Sequence, residues 1–181
     1  MSLKKSASKF FILLPLLASC QADMPGRRLL EIGTGSDTTI AFGAFEYLEE
    51  GVGVYAAMHG SLGEGSGTNY DGIIASGGFP GDSKTGETTV PTGLSAGITH
   101  RIGEKFGVFA GPSLTLLTTY YNYYDNTLIL DSSGNYNITG EEETKAGLEV
   151  GAHFFLNDRH ALGVRQDLGT NTTIISIGFN F

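Results

Sequence analysis

The feature that most constrains this chain is the alternation of apolar side chains with small or polar ones. From residue 29 onward, eight stretches have this period of two, and Gly, Asn, Asp and Ser separate them. Such alternation is typical of β-strands whose two faces meet different surroundings. We therefore predict an all-β fold, with strands at about 29–35, 38–48, 51–62, 88–102, 106–122, 142–156, 160–169 and 173–181.

The two faces of the predicted strands differ in charge. One face carries apolar residues such as Leu148 and Ile175, and no Asp, Glu, Lys or Arg away from the strand ends. A charge facing lipid at mid-depth costs about 2–4 kcal/mol, so an uncharged face suits a bilayer. The pattern predicts an eight-stranded antiparallel up-and-down transmembrane β-barrel. The opposite face, predicted to line the lumen, carries Glu31, Arg101, Lys145, Glu149, Arg165 and Asp167.

The predicted lumen is narrow, because eight strands enclose only enough space for side chains. Three acidic and three basic residues on the inner face are expected to pair as a charge network, which avoids unpaired buried charges. Most strand glycines share this face, as a crowded interior requires. We expect the network to plug the barrel and to allow little conductance; a proton or ion path is the alternative.

Residues 1–19 have the build of a secretory signal peptide. Lys4, Lys5 and Lys9 precede a short apolar core over 10–17, which is too short to span a bilayer permanently. The end of this segment allows two interpretations. Cys20 follows Leu-Ala-Ser in a sequence like a bacterial lipobox and would then be lipidated, or cleavage occurs after Ala22. A short segment over 20–28 then precedes the barrel at 29–181.

The predicted connections are short at one end of the strands and long at the other. Turns near 49–51, 103–105 and 157–159 are short, whereas the polar stretches 63–87 and 125–141 are long. Outer-membrane barrels have short periplasmic turns and longer extracellular loops. We therefore expect both termini in the periplasm, and two extracellular loops rich in Asp and Glu.

Aromatic residues lie close to the ends of the predicted strands. They are expected to form two belts at the membrane interfaces, where a ring can be partly hydrated. The predicted periplasmic belt contains Phe45, Tyr47, Phe106, Phe154, Phe155, Phe179 and Phe181, and the outer belt contains Tyr120, Tyr121, Tyr123 and Tyr124.

Two segments carry a resemblance to known proteins. They are the strand–turn–strand run over 148–159 and the alternating segment 175–181 with its final Phe181. With the signal peptide, they make the chain resemble the small eight-stranded outer-membrane barrels of Gram-negative bacteria, the group of the OmpA transmembrane domain and OmpX. The resemblance implies a monomer in contact with outer-membrane lipid and lipopolysaccharide. Because the sequence stops at Phe181, we expect no peptidoglycan-binding domain after the barrel. It also implies that the barrel-insertion machinery reads Phe179 and Phe181.

The sequence leaves three functions open. The first is a non-enzymatic, porin-like barrel that displays its acidic loops for envelope structure, surface contact or adhesion through a partner of loops 63–87 and 125–141. The second is a lipid-modifying acyl hydrolase. His59 and Ser61 lie two residues apart on one strand face, as a base and a nucleophile can, and faintly resemble the His-x-Ser pair of lipid A deacylases, although Leu62 replaces the expected Asn. The third is a soluble barrel lipoprotein tethered by Cys20.

Composition excludes several other classes. The formal charge of −8 argues against nucleic acid as a partner, because binding phosphates requires a basic face. The single cysteine excludes an intrachain disulfide framework and a cysteine-rich zinc site. We expect neither a metal nor another cofactor.

Overall fold

A computed structural model describes residues 26–35, 39–61, 65, 67–71, 78–127 and 134–181. The predicted signal peptide, Cys20 and Ala22 lie outside these residues. The described part contains no helix that is long and apolar enough to cross a membrane. Its strands are β1 Gly26–Gly35, β2 Thr39–Leu48, β3 Gly53–Ser61, β4 Thr68–Asn69, β5 Ser83–Ile102, β6 Phe106–Tyr124, β7 Asn135–Phe155, β8 His160–Asp167 and β9 Thr172–Asn180.

Eight of these strands close into a ring. The order around the ring is β1, β2, β3, β5, β6, β7, β8 and β9, and β9 pairs with β1. Each strand is antiparallel to both neighbours, and Ile32 opposite Ile177 lies within the closing ladder. The two-residue strand β4 stands outside the ring and pairs in parallel with β7. The predicted eight-stranded antiparallel up-and-down barrel is confirmed.

The barrel has the inside-out polarity that the alternation predicts. Leu148 is 45% exposed and Ile175 is 66% exposed on the outer surface, whereas Glu149 and Arg165 are each 1% exposed. Closing the sheet leaves no free edge in this band, so backbone groups are paired as hydrocarbon requires. The outward side chains include Leu30, Ile32, Phe42, Val54, Leu94, Ile98, Phe106, Leu114, Leu162, Val164, Ile177 and Phe179.

An aromatic cluster fills the lumen at the end that holds the short turns. Phe45, Tyr47 and Phe155 are buried there at 3%, 0% and 2% exposure, so their predicted place in an interfacial belt is wrong. The alternation of side chains along each strand explains this correction. Phe45 and Tyr47 share the inner face of β2 with Gly43, and Phe155 shares that of β7 with His153. The cluster comprises Leu29, Phe45, Tyr47, Tyr55, Ala57, Phe109, Phe155 and Ala161.

Glycines on facing strands make room for these rings. A Cβ atom at Gly107 would lie 2.4 Å from Cε1 of Tyr47, and one at Gly151 would lie 2.2 Å from Cζ of Phe109. Real Cβ contacts are not this short, so larger residues there would displace the cluster. The glycines on the inner face thus leave the space that the aromatic rings of the facing strands occupy.

Three neighbouring strands are about twice as long as the other strands of the barrel. β5, β6 and β7 have 20, 19 and 21 residues, whereas the others have 8 to 10. A tilted strand crosses a bilayer with about 9–11 residues. The predicted loops 63–87 and 125–141 therefore contain strand: residues 83–87 belong to β5 and residues 135–141 to β7.

Candidate functional site

The lumen contains a buried charge cluster centred on Arg165, which β8 directs inward. Its Nε lies 3.5 Å from Oε1 of Glu31 and its Nη1 lies 3.6 Å from Oε2 of Glu149. Its Nη2 donates a hydrogen bond of 3.1 Å to the carbonyl of Met58. Oε1 of Glu149 also accepts a hydrogen bond of 2.6 Å from the hydroxyl of Ser95. One guanidinium thus connects β1, β3 and β7 across the barrel.

A hydrogen-bonded chain leads from this cluster to the aromatic cluster. Nε2 of His153 lies 2.6 Å from Oε2 of Glu31, and Nδ1 of His153 lies 2.7 Å from the hydroxyl of Tyr47. The ring of His153 also meets that of Phe45 edge-on, with centroids 4.6 Å apart. His153 alternates along β7 in step with Glu149, which places it on the inner face, but the sequence did not indicate that it joins the charged residues.

The other predicted members of the network lie in different surroundings. Asp167 is 2% exposed in the lumen, where its carboxylate accepts hydrogen bonds from Oγ1 of Thr115 at 3.0 Å and from the amide of Gly169 at 2.8 Å. Arg101 lies at the short-turn end of β5 and donates to the carbonyl of Gly103.

Lys145 is also separate from the cluster. Its Nζ lies 3.4 Å from Glu143 near the opposite rim, where both side chains are partly exposed. Arg101 stands near the end of β5 and Lys145 stands in the middle of β7 at the level of the rim, and both long side chains reach toward solvent. The expected balance of three acids and three bases is therefore not what the described part of the lumen contains: Glu31 and Glu149 share Arg165, and the carboxylate of Asp167 is held by Thr115 and Gly169.

His59 and Ser61 lie at the inner face of β3. His59 is 3% exposed, and Ser61 is the last residue of β3, opposite Thr39 of β2. A Cβ atom at Gly93 would lie 2.6 Å from Nε2 of His59, so the ring packs against β5 inside the barrel. His59 and Ser61 therefore point away from the lipid-facing surface. Met58 and Gly60, which alternate with them along β3, lie on that surface. Within the described residues no group of three or more His, Cys, Asp or Glu is placed to hold a metal.

Beyond the apolar band, β5, β6 and β7 continue as a three-stranded sheet. We call this sheet, with the described residues of 65–82 and 125–134, the extension. Its core is a buried group of Tyr123, Tyr136 and Ile138, against which Tyr70 and Tyr121 pack. The rings of Tyr123 and Tyr136 stack with centroids 5.4 Å apart and an angle of 16°. Six of the eight tyrosines of the chain belong to the extension.

Polar side chains attach the segment after β3 to the edge of β7. Nδ2 of Asn69 donates to Oδ1 of Asn137 at 2.8 Å, and Nδ2 of Asn137 donates to the carbonyl of Gly67 at 3.2 Å. The carboxylate of Asp71 accepts a hydrogen bond from the amide of Thr139 at 2.6 Å and another from its hydroxyl. These bonds cover the β7 edge. Among the described residues, no strand pairs with the outer edge of β5 over 83–91.

The extension is acidic. Its described residues include seven carboxylates and two lysines, a formal balance of −5. Nζ of Lys84 lies 2.6 Å from Glu87 and 4.1 Å from the centroid of the Tyr121 ring. The hydrogen bond to Glu87 raises the pKa of Lys84. The carboxylates are Asp71, Asp82, Glu87, Asp125, Glu141, Glu142 and Glu143, and the lysines are Lys84 and Lys145.

Comparison with known proteins identifies the fold. No family model matches the chain, and no curated protein matches it. Among solved structures, the crystal structure of Ail, the attachment invasion locus protein of Yersinia pestis, in complex with the heparin analogue sucrose octasulfate matches with a TM-score of 0.50 and 11% identity. The chain shares the fold of Ail. The match covers 87% of this chain and 100% of Ail.

A second structure of the same protein gives the same result. The backbone structure of the Yersinia pestis outer membrane protein Ail in a phospholipid bilayer nanodisc matches with a TM-score of 0.50 and 12% identity, over 87% of this chain and 100% of Ail. Ail is a small outer-membrane barrel of the OmpA and OmpX class, so the predicted resemblance is confirmed.

Proposed function

We propose that this chain is a non-enzymatic outer-membrane protein of a Gram-negative bacterium that presents its extension for contact with other surfaces. The observation that carries the proposal is the continuation of β5, β6 and β7 beyond the apolar band, with a core of their own around Tyr136. A barrel that only filled the membrane would need no such unit. The likeness to Ail, an attachment invasion locus protein, supports a role in attachment.

The proposed orientation places the extension outside the cell and the termini in the periplasm. Residues 1–19 then act as the export signal, and Phe179 and Phe181 act as the signal for the barrel-insertion machinery. The outward apolar band contacts outer-membrane lipid, and the acidic extension stands next to lipopolysaccharide. The barrel acts as a monomer. Lipidation of Cys20 and cleavage after Ala22 remain alternative predictions for the mature N-terminus.

The lumen has a structural role in this proposal. The cluster around Arg165 and the aromatic cluster follow one another along the barrel axis, and both consist of buried side chains. We expect little or no conductance when the purified protein is inserted in planar bilayers. A stable, large open channel would contradict this role.

Two observations weigh against the alternatives. A hydrolase acting on lipid through His59 and Ser61 would need a path for an acyl chain into the lumen, and His59 is 3% exposed there. A soluble lipoprotein tethered by Cys20 would place an apolar surface in water, since Leu114, Leu148 and Ile175 are 54%, 45% and 66% exposed. Exposed apolar areas of that extent mark membrane or protein contacts.

The proposal is tested by removing the extension while keeping the barrel. In the shortened variant, short Gly-Ser linkers replace residues 62–89 and 119–141, so β3 connects to β5 and β6 to β7 at the rim. Of the charged residues of the extension, this variant keeps only those next to the rim on β7, which are Glu142, Glu143 and Lys145. Bacteria expressing either form are applied to cultured epithelial monolayers, and adherent cells are counted. Heat-modifiable migration on SDS gels controls for barrel folding. We expect adhesion by the full chain and its loss in the shortened variant; equal adhesion would contradict the proposal.

A further inference from the structure

A tight turn lies at the far end of the extension. Residues Phe79, Pro80, Gly81 and Asp82 form it, and the amide of Asp82 donates a hydrogen bond of 3.1 Å to the carbonyl of Phe79. Gly81 has a φ of 98° and follows Pro80. A type II β-turn requires a residue of positive φ at the third position, and proline is common at the second. The sequence of this turn therefore fixes its backbone.

Side chains from β7 and from the β6–β7 connection hold this turn. The hydroxyl of Tyr136 accepts a hydrogen bond of 3.1 Å from the amide of Phe79 and donates one of 2.8 Å to Oδ2 of Asp82. Nδ2 of Asn126 donates to the carbonyl of Gly81 at 2.7 Å, and its amide donates to Oδ1 of Asp82 at 3.4 Å. The turn is thus bonded at three of its four residues.

The turn also rests on the tyrosine core. Gly78 has a φ of 75°, and a Cβ atom there would lie 2.9 Å from Cε1 of Tyr123 and 3.0 Å from the hydroxyl of Tyr136. The backbone before Phe79 therefore lies directly against the stacked pair. Tyr136 itself is 0% exposed, which ties the position of its hydroxyl to the core of the extension.

The side chain that this turn presents is apolar. Phe79 is 48% exposed. A single exposed apolar residue is common on protein surfaces. Phe79 differs because its backbone amide and carbonyl are both hydrogen-bonded, and because the backbone before it packs against Tyr123 and Tyr136. A fixed, exposed aromatic residue loses little conformational freedom on binding, and such residues dominate the energetics of protein interfaces.

We propose that Phe79 is an anchor that inserts into an apolar pocket of a protein partner, and that basic residues line the rim of this pocket. The inference rests on the proposed surface-contact function and names the class of partner. Asp82, Glu87 and Asp125 outnumber Lys84 around the turn, and the extension as a whole has a balance of −5. A basic rim complements this field, whereas a sulfated polyanion such as the heparin analogue bound to Ail is repelled by it.

The test uses the full chain in the adhesion assay. Phe79→Ala removes the anchor and is expected to lower adhesion about tenfold. Tyr136→Phe keeps the buried ring but removes both hydrogen bonds to the turn, and we expect about a threefold loss. Two matched controls, Tyr124→Ala in the extension and Val52→Ala in the turn between β2 and β3, should remain within about twofold of wild type. Their parent residues are 39% and 56% exposed.

Treatments of the monolayer identify the chemistry of the partner. Trypsin treatment should lower wild-type adhesion to the level of Phe79→Ala, whereas heparinase should leave it unchanged. Phosphatidylcholine vesicles should not bind the protein in nanodiscs. Adhesion that depends on the extension but not on Phe79 would overturn this inference alone. Phe79-dependent adhesion that is sensitive to heparinase but not to trypsin, or vesicle binding lost in Phe79→Ala, would also overturn it. An absence of adhesion by wild type would overturn the proposed function too.

Discussion

The lumen and the extension place most of their charged groups in opposite ways, although β5, β6 and β7 contribute to both. In the lumen, Arg165 lies between Glu31 and Glu149, and all three are at most 4% exposed. In the extension, the buried core of Tyr123, Tyr136 and Ile138 is uncharged, and among the described carboxylates of the extension Asp125 alone is buried, whereas Glu142 and Glu143 are exposed. The surroundings explain the difference: charges avoid lipid on the outside of the barrel, whereas water surrounds the extension and accepts them.

The change from one arrangement to the other coincides with an irregularity of the sheet. Thr118 pairs with Glu142 and Tyr120 pairs with Thr139, so one residue of β6 between these pairs opposes two of β7. A bulge of this kind exchanges the faces on which successive side chains stand. The pairing of β5 with β6 shifts as well, between Lys84 and Gly86. These bulges let one strand serve a charged interior at one end and a charged exterior at the other.

The largest effect should come from removing the shared cation of the lumen. Arg165→Met leaves Glu31 and Glu149 buried without their arginine, and loss of one partner of a buried ion pair costs about 3–5 kcal/mol. We expect the free energy of unfolding, measured by urea titration in lipid vesicles, to fall by this amount. Arg101→Met is the matched control, because among the described residues the side chain of Arg101 bonds only to the carbonyl of Gly103 in a turn; its effect should be about 0.5 kcal/mol or less.

The opposite result would revise the account of the lumen. If both arginine variants unfolded at the same urea concentration as wild type, the cluster would contribute nothing to stability. The double variant Arg165→Met with Glu149→Gln should recover part of the loss, because it removes one of the unpaired carboxylates. A double variant no more stable than Arg165→Met would show that Arg165 acts through packing only.

The barrel was predictable from the sequence because the outer face of its wall contacts lipid and the inner face contacts buried side chains. Ile175 and Ile177 alternate with Ile174 and Ser176, and lipid forbids charge on the outward set, so the pattern in each strand is strict. The inner set is less constrained, since a buried charge needs only some partner. Arg101 and Lys145 stand on the inward side of the alternation. Their distance from the other charges depends on the position of each residue along the barrel axis, which the alternation does not indicate.

The extension was not predictable by the same argument. Residues 83–89 have polar side chains or glycine on both faces of β5, because this part of the strand lies beyond the apolar band and most of its side chains meet water. Such a strand has no period of two and resembles a loop. The Tyr-rich run at 120–124 was assigned to an interfacial belt, whereas Tyr123 packs on Tyr136 inside the extension.

A charge scan of the outer surface should show where lipid ends and water begins. Leu148→Arg places a cation in the apolar band and should cost about 2–4 kcal/mol in vesicles. Thr85→Arg places the same side chain on an exposed position of β5 in the extension and should cost about 0.5 kcal/mol or less. Both are measured by urea titration. Equal costs would contradict the boundary that separates the two regions.

The smallest predicted effect is a loosening of the extension at high pH. Burial raises the pKa of Tyr136 to about 12 from its ordinary value of 10.0, and the hydrogen bond to Asp82 adds to this rise. The folded extension then keeps the proton while an opened one loses it, so stability is lost as pH rises from about 10 to about 12. The ¹³C-methyl NMR signal of Ile138, recorded in nanodiscs, should broaden over this range.

Two controls separate this effect from general alkaline damage. The methyl signal of Ile174, which is 1% exposed inside the barrel, should not change over the same range. Tyr136→Phe should lower the stability of the extension at pH 9 because Phe79 and Asp82 lose hydrogen bonds, but it should flatten the dependence above about pH 10, since phenylalanine cannot ionise. If the pH dependence of stability were unchanged in Tyr136→Phe, another group would be responsible for the titration, and the link between the turn and the tyrosine core would be contradicted.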